Sequence, residues 1–155
     1  MKAFEYIFGY MLAVIPIVII QNILFFILAI ILGLPFTISI IFTIIISILI
    51  SVFFIFLGIV IGSITTVKGS SGISSGIVQL VCFTSGMYFD GNMVGKGFNL
   101  VCNYLPFKPA LNIIKGILNS TSIDIMDVII FTIYLVIILV ISIRLFKKKM
   151  ISDNK

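Results

Sequence analysis

Few residues in this chain could do chemistry. Its acids are Glu5, Asp90, Asp124, Asp127 and Asp153, and it contains no histidine. The commonest general base and the commonest metal ligand are therefore missing. Neither a Ser/His/Asp nor a Cys/His set can be assembled. Asp124 and Asp127 are one helical turn apart, just before an apolar run. Acids in that place complement the positive end of a helix, a better fit than a catalytic pair. Cys82 and Cys102 have neither metal nor redox spacing, and Cys82 falls inside an apolar run, so both read as buried, inert thiols. The run Gly91 Asn92 Met93 Val94 Gly95 Lys96 Gly97 imitates a phosphate loop. The motif, G-x-x-x-x-G-K-S/T, needs a longer gap between its glycines and a hydroxyl after the lysine to hold magnesium. Here the gap is one residue short and Gly97 follows the lysine. No catalytic residue, cofactor or metal site is expected.

The elements around these residues are nearly all hydrocarbon. The chain has 155 residues, 61% hydrophobic and 10% charged, against about a quarter charged in soluble domains. Lipid must act as its solvent. Charge is absent from Tyr6 to Val67, from Gly69 to Phe89 and from Val128 to Ser142. Uncharged apolar runs of about 18 residues or more read as membrane spans, and the first stretch is long enough for two. Four spans are expected, at about 6–33, 37–64, 73–89 and 127–145. Lys2 precedes an apolar run too long for a signal-peptide core, with no small-residue cleavage site after it. The first helix is expected to remain in the membrane.

Within span one, Pro16 should kink the helix, and Gln21 and Asn22 lie near mid-depth. Their amides need partners in lipid, so they are candidate intramembrane polar contacts. Gly33 Leu34 Pro35 reads as the turn of an antiparallel hairpin. In span two, Ser39, Thr43, Ser47 and Ser51 recur every fourth residue, placing a small hydroxyl stripe on one face. Gly58 and Gly62 form a GxxxG pair. Thr65 to Gly76, with Lys68 and several serines, reads as a polar loop. The third span is short. From Gly91 to Ser122, Lys96, Lys108 and Lys115 interrupt every apolar run. This pattern fits short helices that lie at the interface, or dip partly into the bilayer and return.

The net charge of +5 does not point to nucleic acid. It gathers in a tail, 146–155, and just before it, at Arg144, Lys147, Lys148 and Lys149. A basic cluster after an apolar helix anchors it on the cytoplasmic side, with attraction to anionic lipid. With four spans, Lys2, Lys68 and the tail share one face, and Lys96, Lys108 and Lys115 the other. The positive-inside rule then puts both termini in the cytoplasm.

Several stretches, in this order and spacing, resemble one family. They are Gly33 Leu34 Pro35 Phe36, Leu57 Gly58 Ile59 Val60 Ile61 Gly62 Ser63, Cys82 Phe83 Thr84 Ser85 Gly86 Met87 Tyr88 Phe89, and Leu105 Pro106 Phe107 Lys108 Pro109 Ala110 Leu111 Asn112 Ile113 Ile114 Lys115 Gly116 Ile117 Leu118. They resemble, respectively, an exterior turn, the end of the fourth helix, the fifth helix and the proline-bearing exterior segment of the ABC-2 type permeases, the membrane subunits of ATP-driven exporters. Leu105 stands where a polar residue is usual and Lys115 where arginine is common. The resemblance is to the C-terminal two-thirds of a family member. It implies an all-α polytopic fold in the cytoplasmic membrane, with the exterior segment at 90–123. It also implies export of a hydrophobic or amphipathic substrate, a homo- or heterodimer with another permease subunit, and ATP hydrolysis on a separate cytoplasmic ABC ATPase subunit. Lys68, Ser70, Ser71 and Ser74 are then the expected ATPase-contact loop, and Ser85, Gly86, Pro106 and Pro109 the expected exterior gate. The rival expectation is a small membrane protein that does not transport: an immunity or regulatory partner, or a truncated permease remnant.

Overall fold

The structure, a computed structural model, describes residues 3–88 and 91–153. All the regular structure among them is helical. In chain order the helices are α1 (Ala3–Ile31), α2 (Ile38–Ile64), α3 (Val67–Thr84), α4 (Gly91–Val94, a single turn), α5 (Lys96–Tyr104), α6 (Phe107–Leu118) and α7 (Ile125–Asp153). The segments Glu5–Ile31, Ile38–Ile64 and Ile125–Lys149 are long and apolar enough to cross a bilayer. At 27 residues, α2 is about 40 Å long, which exceeds a hydrocarbon core of ~30 Å and requires tilt.

Helix α2 is the centre, packed between α1 and α7. It runs antiparallel to α1 and parallel to α7. Tyr6 meets Phe146 with ring centroids 5.7 Å apart, and Lys149 donates to the Gly62 carbonyl at 2.6 Å. The start of α1, the end of α2 and the end of α7 therefore share one end of the bundle, here called the inner end. At the opposite, outer end, the Ser39 and Ser120 hydroxyls are 2.9 Å apart. The α1–α2 connection turns on Gly33, whose φ of 109° suits a residue without a side chain. The hydroxyl stripe of α2 does two jobs. Thr43, fully buried, returns its hydroxyl to the Ser39 carbonyl, while Ser47 donates to Asn22 Oδ1 of α1 at 2.7 Å. Helix α1 runs through Pro16 without interruption.

The helix found at the third expected span has other bounds than the expected 73–89. Residues 67–84 form one helix of 18 residues, so most of the expected loop 65–76 is helical. Thr66 caps it, its side chain accepting from the Gly69 amide, and Ser75 returns its hydroxyl to the Ser71 carbonyl. Hydroxyls satisfied within the helix remove the conflict that composition suggests. The far end stops at Ser85 and Gly86, where φ reaches 76°. With its glycines and serines, α3 is not among the helices apolar enough to span, so three rather than four such helices are present among the described residues. Helix α7 likewise runs past the expected boundary at 145, and the tail is helical to Asp153.

Candidate functional site

The segment expected to lie at the interface, or to dip partly into the bilayer and return, packs against the bundle. Helix α6 packs against both α2 and α7. Its buried residues, Pro109, Ala110, Ile113 and Gly116, recur at helical spacing and form one face. That face meets Ile50 and Phe53 of α2 and Phe131 of α7. Phe107, at the start of α6, lies edge-on to Phe53 at 6.3 Å and stacks on Phe54 at 6.3 Å. At about 1.5 Å per residue, Phe53 lies roughly 22 Å along α2 from Ile38, a little past its middle. The other end of α6 reaches Ser39 through Ser120. Helix α6 thus runs from mid-bundle back to the outer end. Helix α5, packed against α6, forms the second arm of a hairpin whose tip is Leu105 Pro106.

Each end of this hairpin is fixed chemically. Pro106 is buried, and its φ of −68° opens α6 without wasting a backbone donor. Lys108 Nζ donates to Asn99 Oδ1 at 2.6 Å, joining the two arms. At the outer end Asn112 Nδ2 donates to Asp127 Oδ2 at 3.0 Å, tying α6 to α7. Asp124 Oδ1 accepts from the Met126 amide at 2.9 Å. Both aspartates thus make bonds at the α7 start. Gly116 is forced by its neighbour: a Cβ there would stand 3.0 Å from Ile123 Cγ1. Residues 91–97 adopt a turn of helix, a φ of 145° at Gly95 and the start of α5, with no strand before them among the described residues.

The expected gate residues fall in two places. Pro106 and Pro109 belong to the hairpin, whereas Ser85 and Gly86 form the end of α3, with Ser85 buried and its hydroxyl 3.4 Å from the Cys82 carbonyl. Contacts between α3 and α6 bring these two helices together. The expected ATPase-contact residues lie on the first turns of α3, at the inner end, with Ser71 and Ser74 exposed and Ser70 half-buried. The side chain of Lys68 lies outside the described residues, as does Asp90. Of the mid-depth amides, Asn22 bonds to both Ser47 and the Val18 carbonyl, while Gln21 faces outward.

Three features escape a sequence reading. The Lys108–Asn99 bond pairs residues on two arms whose fold-back the sequence does not announce. Gln79 stands exposed on α3. Gly58 and Gly62, which a GxxxG reading assigns to helix packing, have nothing within 4 Å of an added Cβ. They line a cavity of about 310 Å³ at the inner end instead. No cluster of three or more His, Cys, Asp or Glu residues that could hold a metal occurs among the described residues.

Comparison with known proteins identifies a family. The family described as ABC-2 type transporter matches residues 1–119 of the chain. No curated protein and no solved structure gives a match. That family supplies the membrane part of transporters, which is not itself catalytic. A match over more than half the chain, carried by apolar helices long enough to span a bilayer, places this protein in the ABC-2 type transporter family.

Proposed function

We propose that the chain is a permease subunit of an ATP-driven exporter, working with a separate cytoplasmic ATPase and a second permease subunit. The observation that carries this reading is the α5–α6 hairpin, seated against the middle of α2 by Phe53, Phe54 and Phe107. Non-helical backbone at such depth is tolerated only where protein or water surrounds it. A hairpin that stops halfway leaves a path open below its tip, which is the layout a gate requires. Ser85, Gly86, Pro106 and Pro109 form this gate in our reading.

Helix α3 is the fourth crossing in this proposal. Its 18 residues reach about 27 Å, close to the ~30 Å core. It begins at the inner end and touches α6 of the outer half. The outward amides of Gln21 and Gln79 support a protein neighbour, because lipid offers an amide no partner. A second permease subunit would meet that need. The inner face, with both termini, is cytoplasmic, as the excess of basic residues favours. The first turns of α3, with Lys68, Ser70, Ser71 and Ser74, are then the contact for the ATPase. Cysteines introduced as Lys68→Cys or Ser71→Cys should crosslink to an ATPase subunit in native membranes. Crosslinks to lipid-facing helices only, with no ATPase trapped, would reject the reading in favour of a membrane protein that does not transport.

A further inference from the structure

The inner end of the bundle holds a cavity that the permease reading does not use. Tyr6 and Tyr10 of α1, Gly58 and Gly62 of α2, and Phe146 and Lys149 of α7 line it, and its volume is about 310 Å³. Its walls differ by level. The glycines and Ile59 leave a slot along α2, open because no side chain fills it. At the boundary of the candidate spans Glu5–Ile31 and Ile125–Lys149 sit Tyr6 and the Lys149 ammonium, with Gly62 at the same level and Tyr10 a turn further in. That ammonium gives one bond to the Gly62 carbonyl at 2.6 Å. An ammonium carries three donors, so two remain for an anion. No carboxylate lines the cavity among the described residues, and Arg144, Lys147 and Lys148 add positive charge nearby.

An apolar slot beside a cation and two tyrosines is complementary to one kind of molecule. We infer that this cavity is a binding site for an anionic phospholipid of the inner leaflet, its acyl chain along Gly58 and Gly62 and its phosphate on Lys149. Tyrosine and lysine at headgroup level are the usual interfacial anchors, and basic residues there attract anionic lipid. The site does not depend on export activity.

Native mass spectrometry of the full chain, purified in detergent and offered phosphatidylglycerol or phosphatidylcholine, tests it. The native chain should retain one phosphatidylglycerol with a preference of roughly fivefold over phosphatidylcholine, the weight of a single interfacial lysine. Lys149→Gln should abolish the preference, whereas Lys147→Gln, on an exposed position of the same helix, should keep it. Gly58→Leu should lower retention of both lipids by about tenfold, because the side chain enters the slot. Gly58→Ala, which adds one methyl group to open space, guards against misfolding and should still lower retention about twofold. Preference unchanged in Lys149→Gln would overturn the site. So would retention unchanged in the Gly58 series, or a Gly58→Cys variant that forms a disulfide-linked dimer and carries no lipid, since a second helix would then occupy the slot.

Discussion

Helices α3 and α6 make an instructive pair. Neither is among the helices apolar enough to span a bilayer, yet the chain treats them in opposite ways. Helix α6, of 12 residues, buries Pro109, Ala110, Ile113 and Gly116 against α2 and α7. Helix α3, of 18 residues, leaves Val78 and Leu80 60% exposed, and its buried polar residues Thr84 and Ser85 lie only at its last turn. The first helix is held by its own chain. The second stays exposed along most of its length, and its small hydroxyl and glycine residues would let a neighbouring helix approach closely. Depth in the bundle follows from packed aromatic rings, not from mean hydropathy.

Perturbing the two helices should therefore give unequal responses. The largest effect is expected at the ring cluster that seats the hairpin. Phe53→Ala should cost about 3 kcal/mol, the low end for a buried phenylalanine, because the chain unfolds into lipid and not into water. A denaturation midpoint in mixed micelles, followed by circular dichroism, reads this. Gly116→Val comes next, at roughly 2 kcal/mol, since even a Cβ would press on Ile123 at 3.0 Å. Ser47→Ala removes the bond to Asn22 and should cost about 0.6 kcal/mol, the usual weight of an interhelical bond in a membrane. Smallest is Ser71→Ala on exposed α3, expected below about 0.5 kcal/mol. If Ser71→Ala proved as costly as Phe53→Ala, the contrast between the helices would collapse. If Ser71→Ala were silent for stability but lowered capture of an ATPase, the contrast would sharpen into a division of labour.

The three long spans were readable from sequence because nothing interrupts them: an uncharged run of isoleucine and phenylalanine has one outcome in lipid. The hydroxyl stripe was readable as a face, though its pairing of Ser47 with Asn22 was not. Helix α3 misled because glycine and serine resemble loop composition, while the Ser75 hydroxyl closes onto the preceding turn. The segment 107–118 was readable only in part. Lys108 and Pro109 look external in a linear reading, yet Lys108 turns to Asn99 and Pro109 faces the core. Basic residues at 144–149 suggested that the last helix had ended, whereas a long side chain such as Lys149 reaches a carbonyl without leaving it. The inner cavity lay hidden because glycines that permit packing and glycines that leave space have the same letters.

All of this turns on the hairpin entering and leaving by the same face. With Cys82 and Cys102 replaced by alanine, single cysteines at Lys115 and Lys149 can be labelled in intact cells with a membrane-impermeant thiol reagent. The account predicts that Lys115→Cys reacts from outside and Lys149→Cys only after the membrane is opened. Lys115→Cys reacting only after the membrane is opened would place residue 115 on the inner side, and the arrangement described here would be wrong.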